Sequence, residues 1–285
     1  MKVSRQIFAG LVAGAVLAAA PGALAQQIET QHVRGNISVL IGPGGNIGVS
    51  VGDEGVFLID DKFDQINPLI MDAVSALSDA PIRFVLNTHY HGDHTGGNQK
   101  MEEAGAVVFA HDNVHTRLVE SSRPGETPPV LTFNDKVTLY LNGEEARVMY
   151  VANAHTDGDS IVWFKDSNVV HMGDTFFHEL FPYIDVDGGG DVDGLVDAIA
   201  YVLGSMIDDE TIVIPGHGAI SNKAGLQAYY DMLVTSRDRV KAMKDGGASM
   251  EEVVAADPTA EFNEQWTWGF IDPETFVTSV YNSVD

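Results

Sequence analysis

Four potential metal ligands lie within one short segment of this chain. Residues 89–94 have the sequence HYHGDH, which places His89, His91, Asp93 and His94 side by side. Imidazole and carboxylate are the ligands that zinc accepts when sulfur is absent, and ordinary packing seldom satisfies four such groups at this spacing. The segment follows the apolar run 82–86, which predicts a loop at the end of a buried strand. The chain must therefore fold so that a strand carries this loop, and a metal, to the edge of a sheet.

The first 25 residues are typical of a secretory signal peptide. Lys2 and Arg5 form a short positive segment, residues 7–20 are apolar, and the sequence ALA at 23–25 is a small-residue cleavage pattern. The apolar stretch is too short for a comfortable membrane span, although an uncleaved anchor is the alternative. We predict cleavage after Ala25 and a periplasmic or secreted protein, with no membrane attachment of the mature chain.

Charge and cysteine content exclude several kinds of partner and chemistry. The formal net charge is −25, with 41 acidic against 16 basic residues. Such a surface repels nucleic acid and anionic lipid, which makes both poor candidate partners but names no other. A small-molecule substrate is the partner expected from the candidate metal site. The chain has no cysteine, which excludes disulfides, thiolate nucleophiles and thiolate metal ligands. The sequence leaves the oligomeric state open.

Hydrophobic periodicity predicts an α/β fold in a single domain, residues 26–285. Short β-prone runs separated by glycine predict an antiparallel meander over 37–61, followed by a helix over 65–77. Further strands are predicted at 106–110, 136–141, 147–151, 160–164, 168–172 and 211–215, and long helices at 192–206 and 223–244. Two β-rich halves, each followed by helices, favour two sheets packed face to face with helices outside.

Three further polar residues lie where a predicted strand ends in a glycine-containing turn. They are His155, Asp174 and His217. A rigid strand can fix a ligand in place, and glycine lets the backbone pass close to a metal. Together with the 89–94 loop, these residues predict two metal sites that share one bridging carboxylate. The first metal takes His89, His91 and His155, the second takes Asp93, His94 and His217, and Asp174 bridges them.

Five segments in this order resemble the metallo-β-lactamase superfamily over essentially the whole mature chain. They are Asp60 at a strand end, residues 89–94, residues 154–156, Gly173-Asp174 and residues 215–218. The resemblance implies a four-layer αβ/βα sandwich with two mixed sheets and a dinuclear site, usually two zinc ions. Iron or manganese suits the same nitrogen and oxygen ligands. The resemblance also implies that Asp60 accepts a hydrogen bond from a ligand histidine.

Asp174 distinguishes the branches that this chain resembles. The β-lactamases that use cysteine place a thiolate at this position. The branch with three histidines on one metal and Asp-His-His on the other matches the remaining ligands and commonly has serine near this position. An aspartate here is similar to the glyoxalase II and lactonase pattern.

An aromatic segment directly after Asp174 predicts an apolar substrate wall. The residues assigned to it are Phe176, Phe177, His178 and Phe181. A place in the core is the alternative for the phenylalanines. Trp266 and Trp268 fit the core or the rim of the site, and the sequence does not choose between them.

These features predict an exported dinuclear zinc hydrolase in which a metal-bound hydroxide attacks a carbonyl group. Asp93 is the residue expected to orient the hydroxide and take its proton. Export favours β-lactam ring hydrolysis, because β-lactams are met outside the cytoplasm. The alternative is a lactone, ester or thioester hydrolase of the lactonase or glyoxalase II kind, which Asp174 favours. A metal-binding accessory protein is the non-enzymatic alternative.

Overall fold

The computed structural model describes residues 27–121 and 127–284, in which two β-sheets face each other with helices on both outer faces. This arrangement confirms the predicted α/β class and the four-layer αβ/βα sandwich. The predicted signal peptide, 1–25, lies outside the described residues. In the described part of the chain, no helix has both the length and the apolar character needed to cross a membrane.

The first sheet contains seven strands in sequential order. They are β1 (Glu29–Arg34), β2 (Ile37–Ile41), β3 (Ile47–Ser50), β4 (Val56–Ile59), β5 (Ile82–Leu86), β6 (Val107–His111) and β7 (Leu131–Phe133). Strands β1 to β4 pair antiparallel, and β4 to β7 pair parallel. The predicted meander therefore forms one half of this mixed sheet.

The second sheet contains six strands. They are β8 (Lys136–Leu141), β9 (Glu144–Tyr150), β10 (Ser160–Phe164), β11 (Val169–His171), β12 (Ile212–Ile214) and β13 (Ser221–Asn222), in the spatial order 13-12-11-10-9-8. Only the pair β11 and β12 is parallel among these described strands. This sheet is therefore mixed as well.

Nine α-helices cover the sheets or connect the strands in the described residues. They are α1 (Asn67–Leu77), α2 (Gly92–Thr95), α3 (Asn98–Glu103), α4 (Asp112–Ser121), α5 (Val192–Ser205), α6 (Lys223–Asp245), α7 (Met250–Ala255), α8 (Asn263–Trp266) and α9 (Pro273–Ser283). Asp191 caps α5, since its side chain accepts hydrogen bonds from the backbone of Asp193 and Gly194.

Alternation along the strands divides the core into layers. In β4, Phe57 and Ile59 pack between the two sheets, whereas Val56 and Leu58 pack against the helices on the outer face. Successive side chains of a strand point to opposite faces, so a strand that is apolar at every position is buried on both. All four side chains are at most 1% exposed, and each such burial contributes about 1.5–3 kcal/mol.

Strand ends from both sheets meet at one edge of the sandwich. The parallel strands β4 and β5 end just before Asp60 and the 89–94 loop, and the parallel strands β11 and β12 end just before Asp174 and His217. Asn46 joins the two sheets at this edge, because its backbone N–H donates to the Gly216 carbonyl at 2.7 Å. The fold thus brings all of the predicted ligand segments to one place.

Candidate metal centre

Three histidines form the first group of potential ligands. His89 and His91 lie in the loop after β5, and His155 lies in the turn between β9 and β10. His91 Nδ1 is 3.1 Å from His89 Nε2 and 2.9 Å from His155 Nε2. The three ligand atoms lie within 4.8 Å of one another, so one cation can contact all three.

Asp93, His94 and His217 form the second group. Asp93 and His94 belong to the short helix α2, and His217 follows β12. Asp93 Oδ2 is 3.5 Å from His94 Nε2 and 3.3 Å from His217 Nε2. These three ligand atoms also lie within 4.8 Å of one another. The structure therefore brings together the same two sets of residues that the sequence predicts for two metals.

The carboxylate of Asp174 lies between the two groups. Its Oδ2 atom is 3.8 Å from His89 Nε2 and 3.6 Å from His155 Nε2. On the other side, Oδ2 is 3.3 Å from His217 Nε2, and Oδ1 is 3.2 Å from His94 Nε2. One carboxylate thus faces nitrogen atoms of both groups, which is the place that a bridging ligand must occupy.

Two buried polar atoms in this cluster lack hydrogen-bond partners. His94 Nε2 and Asp174 Oδ1 face each other without hydrogen-bond geometry, and both residues are at most 5% exposed. A buried polar atom left unsatisfied costs about 1–3 kcal/mol. A cation contacting both atoms removes this cost, and the nitrogen and oxygen donors suit zinc, iron or manganese. The residues present therefore fit metal ions.

The pKa values favour the metal-binding forms of His89, His155 and Asp174. Burial lowers the pKa of His155 to about 4 and holds that of His89 well below its ordinary value, so both imidazoles are neutral at pH 7. Burial alone would raise the pKa of Asp174, but His94 and His217 outweigh it and hold that pKa well below its usual range. Neutral imidazole and ionised carboxylate are the forms that bind metal.

Asp60 holds the ring of His94 in place. Its Oδ2 atom is 2.8 Å from His94 Nδ1, and its carboxylate also accepts hydrogen bonds from Thr88 N at 2.7 Å and Thr88 Oγ1 at 2.9 Å. The residue is fully buried, and its backbone has a φ of 69°, which non-glycine residues rarely adopt. With Nδ1 directed at Asp60, Nε2 of His94 is directed at the ligand cluster.

Two residues of the loop that contains residues 183–185 hold ligand histidines in place, and the sequence did not predict this role for them. Asp185 Oδ2 is 2.8 Å from His91 Nε2 and accepts a further hydrogen bond from the Tyr90 hydroxyl. The Tyr183 carbonyl oxygen is 2.7 Å from His155 Nδ1. Asp185 follows no apolar strand, so it lacks the strand-end pattern that identified the other aspartates. The one signal in the sequence that could point to Asp185 is the glycine run at 188–190, which follows it closely. In the structure, Gly188 N donates a hydrogen bond to Asp185 Oδ1 at 3.0 Å.

Two glycines allow the backbone to approach the ligands closely. A Cβ atom at Gly45 would lie 2.2 Å from His94 Cε1, and one at Gly216 would lie 2.0 Å from Asp174 Oδ1. Both distances are far below van der Waals contact. Beneath the Gly45 loop, the fully buried Lys62 donates a hydrogen bond from Nζ to the Gly45 carbonyl. Burial lowers the pKa of Lys62 to about 8.

A cavity of about 660 Å³ opens over the ligand cluster. Its walls combine ligand side chains with six aromatic residues. The lining residues are Gly44, Phe63, Tyr90, His91, Asp93, Asp174, Phe177, Tyr183, Asp185, His217, Trp268 and Phe270. A cavity of this size and character accommodates a small organic molecule.

The predicted substrate wall is only partly in the cavity. Phe177 lines it and stacks on His217, with 5.1 Å between ring centres. Phe176 and Phe181, in contrast, are fully buried in the hydrophobic core. His178 Nδ1 is 2.8 Å from the Ala219 carbonyl oxygen, and His178 does not line the cavity. The chain at Phe176 is extended, so neighbouring side chains point in opposite directions and Phe177 faces the site without its neighbours.

The two tryptophans that the sequence left open have different places. Trp266 is 5% exposed and packs in the core, with its ring centre 6.0 Å from that of Tyr229. Trp268 lines the cavity, with its ring centre 5.8 Å from that of His217. Trp266 is the last residue of the helix α8 and Trp268 follows it, so the end of this helix separates a core residue from a residue of the site.

The fold and the ligand pattern define a known class of protein. The profile of the metallo-beta-lactamase superfamily matches residues 40–217, which is more than half of the chain. The chain therefore belongs to the metallo-beta-lactamase superfamily, a metallo-hydrolase superfamily.

Curated relatives include hydroxyacylglutathione hydrolases. The protein of that name from Polaromonas sp. is 33% identical over 141 residues, which cover 48% of this chain and 49% of the relative. That from Rhodospirillum rubrum is 34% identical over 116 residues, which cover 39% of this chain and 42% of the relative. The chain thus spans about half of the length of these relatives or less.

Similar solved structures belong to proteins of different activities. DIM-1 metallo-beta-lactamase matches with a TM-score of 0.61 and 21% identity, covering 74% of this chain and 98% of that one. The sec-alkylsulfatase Pisa1 from Pseudomonas sp. matches with a TM-score of 0.70 and 17% identity, covering 90% of this chain and 50% of that one. At these identities the likeness shows the fold alone.

Proposed function

We propose that this chain is a dinuclear metal-dependent hydrolase of an ester, lactone or thioester. The observation that carries the proposal is the position of Asp174, whose carboxylate faces both ligand groups. The curated relatives support this substrate class, because their name denotes hydrolysis of hydroxyacyl conjugates of glutathione. Residues of these groups would hold two zinc ions, with iron or manganese as chemically suitable substitutes.

Each ligand group has its own role in the proposal. His89, His91 and His155 would hold one ion, Asp93, His94 and His217 would hold the other, and Asp174 would contact both. When bound, a pair of dications polarises a carbonyl oxygen and makes water more acidic. The chain itself must then position the substrate, limit the access of bulk water and accept a proton.

Asp93 is the residue best placed to accept that proton. Its side chain is 23% exposed and lines the cavity, whereas the carboxylate of Asp174 is only 4% exposed. Burial would raise the pKa of Asp93, but the charge of His94 and the hydrogen bond with His217 outweigh it, so the pKa lies well below its usual range. Asp93 therefore offers an ionised oxygen that can accept a hydrogen bond from a water molecule in the cavity and orient it, and its position in the cavity, not its basicity, is the reason for assigning the proton to it.

Hydrolysis of β-lactams, the reaction that export favours, has less support than hydrolysis of esters, lactones or thioesters. The curated relatives reported above are hydroxyacylglutathione hydrolases. The solved β-lactamase is 21% identical and shows the fold alone. We therefore propose esters, lactones or thioesters as the substrate class, and the test includes a β-lactam for comparison.

The test is hydrolysis by the zinc-loaded chain with and without a chelator. The compounds are a phenyl ester, a γ-lactone, a thioester and the β-lactam nitrocefin. We expect chelator-sensitive turnover of at least one of the first three at a higher kcat/KM than nitrocefin. Faster opening of nitrocefin would replace the proposal by β-lactam hydrolysis, and turnover of none of the four would refute it.

Metal content tests the ligand assignment separately from activity. Asp93→Ala and His217→Ala should each lose one equivalent of zinc, as measured by elemental analysis of the dialysed protein. Tyr140→Ala is the control, since Tyr140 is 75% exposed on β8 and lies outside the cavity. Two bound equivalents in either ligand variant would show that the assignment is wrong.

A further inference from the structure

We infer that the site selects uncharged substrates with a flat apolar group beside the scissile carbonyl, and that it disfavours anionic conjugates such as those of glutathione. This inference rests on the proposed function and narrows its substrate class. It is carried by the outer part of the cavity, beyond the ligand cluster, where aromatic rings are close together and free basic groups are missing from the described lining.

Four aromatic rings form an arch over the ligand cluster. The aromatic arch consists of Tyr183, Phe270, Trp268 and Phe177, with 5.6 Å between the ring centres of Tyr183 and Phe270, 5.6 Å between Phe270 and Trp268, and 6.1 Å between Trp268 and Phe177. At one end, the Tyr183 ring is 5.7 Å from the ring of His91. At the other end, Phe177 stacks on His217. The aromatic arch therefore connects the first ligand group to the second.

Two rings of the aromatic arch, those of Trp268 and Phe177, are held in place by the surrounding structure. Trp268 Nε1 donates a hydrogen bond to the Phe181 carbonyl at 2.9 Å, and the backbone N–H of Trp268 donates to the Ile271 carbonyl at 3.2 Å. Phe177 is 1% exposed, whereas Phe270 is 64% exposed. The arch thus presents a fixed inner ring and an exposed outer ring. A flat apolar group that covers the outer ring removes apolar surface from water.

In the part of the chain that the structure describes, the lining of the cavity offers no free basic group. Among residues 27–121 and 127–284, none of the lining side chains is a lysine or an arginine, and the three lining aspartates belong to the ligand groups or contact His91. Two cations lie behind the wall, and both are engaged. Lys62 donates to the Gly45 carbonyl, and Arg117, whose Cζ atom is 5.6 Å from the Tyr90 ring centre, donates from Nη2 to Asp157 at 2.8 Å.

The lack of a free basic partner in the described outer wall distinguishes a neutral from an anionic conjugate. The two carboxylates of glutathione lie several bonds from the thioester carbonyl, so they would meet the aromatic arch when the carbonyl is at the ligand cluster. A carboxylate that leaves water needs a charged or hydrogen-bonding partner, and aromatic faces repel it. An uncharged thiol or alcohol carries no such cost. An aromatic acyl group gains stacking with Trp268 and Phe270.

Four thioesters with the same reacting bond test the inference. They combine a phenylacetyl or a lactoyl group with either glutathione or the uncharged thiol N-acetylcysteamine. For zinc-loaded protein, we expect kcat/KM to be about tenfold or more higher for the uncharged thiol with either acyl group. We also expect the phenylacetyl thioester of N-acetylcysteamine to be the best substrate of the four.

One variant separates the contribution of the aromatic arch from that of the metal ligands. Phe270→Ala should raise KM about tenfold for phenylacetyl-N-acetylcysteamine and by less than twofold for the lactoyl compound, with the zinc content measured beside it. Phe270 is mostly exposed, so its variant should fold normally. Tyr140→Ala, which removes an exposed aromatic ring outside the cavity, should change neither value.

The possible failures are distinguishable. Equal or faster turnover of the glutathione thioesters would overturn the inference and leave the proposed hydrolase intact. Equal losses on both acyl groups in Phe270→Ala would overturn the role of the aromatic arch. If the zinc-bound protein turns over none of the four thioesters, and neither the phenyl ester nor the γ-lactone, the proposed function itself is refuted.

Discussion

Replacing Gly45 by alanine should remove His94 from the ligand set. The added Cβ would lie 2.2 Å from His94 Cε1 and 2.5 Å from Nε2, whereas ordinary contact begins near 3.4 Å. The ring or the loop must therefore move by about 1 Å. Metal–ligand distances tolerate only about 0.2 Å, so a shift of this size breaks the bond from Nε2 to a metal.

Neither side of this contact can yield easily. Asp60 holds His94 from behind through the 2.8 Å contact with Nδ1. The Gly45 loop is held by Lys62 and by Asn46, whose side chain donates to the Pro215 carbonyl at 3.0 Å. Loss of a residue that only hydrogen-bonds a metal ligand lowers metal affinity about 10–100-fold. Displacement of the ligand itself should therefore lower the affinity of the second group for its metal at least about 100-fold, or by about 3 kcal/mol.

The assay is competition for zinc with a chromophoric chelator, which measures both affinities in one titration. Gly45→Ala should keep one tight equivalent and weaken the other by at least about 100-fold. Gly204→Ala is the matched control, because Gly204 is exposed in α5 and a Cβ there meets nothing within 4 Å. The control should bind as wild type does and gain about 0.5–1 kcal/mol of stability. Two wild-type affinities in Gly45→Ala would refute the assignment of His94 as a ligand.

Three further predictions concern the supports, a buried charge and metal removal. Asp185→Asn should lower the affinity of one zinc ion about 10–100-fold through the loss of charge behind His91, and an unchanged chelator titration would contradict this. The pKa of Lys62 is about 8 in the fold and 10.5 when unfolded, so the unfolded state binds more protons at high pH and stability rises from pH 8 to pH 10.5. Relative to Lys62→Met, the metal-free wild type should therefore gain roughly 2–3 kcal/mol in free energy of unfolding between pH 7 and pH 10, as measured by denaturant titration. If the two proteins show parallel pH profiles of stability, Lys62 does not titrate in this way. Free zinc at a thousand times its Kd should add about 4 kcal/mol to the free energy of unfolding, and a chelator should remove it; equal stability with zinc and with chelator would contradict a site built in the folded state.

Much of the fold could be predicted because its strands are short, apolar and separated by glycine. The runs at 37–41 and 56–60 became β2 and β4, and the helix over 223–244 became α6 with nearly the same bounds. Strand β1 was not predicted, because its sequence ETQHVR is polar and its residues are mostly exposed. It is an edge strand stabilised by pairing with β2, and such pairing leaves no hydrophobic alternation in the sequence.

The ligand cluster could be predicted because each ligand follows a strand, and strand ends meet at one edge of the sandwich. The cavity wall could not be predicted in the same way. The aromatic arch combines residues 177 and 183 with residues 268 and 270, which are distant in sequence and become neighbours only through packing. Closeness to Asp174 in sequence predicts a place in the wall for Phe176 and Phe181, but the direction of each side chain puts them in the core. Asp185 is likewise brought to His91 by the course of a loop.

The most direct test of the two-metal account is anomalous diffraction from crystals of the zinc-loaded chain. We expect two peaks, one within about 2.0–2.2 Å of the ligand nitrogens of His89, His91 and His155, and one at the same distance from ligand atoms of the second group. The Asp174 carboxylate should contact both. A single peak, or two peaks of which one lies away from Asp174, would contradict the account.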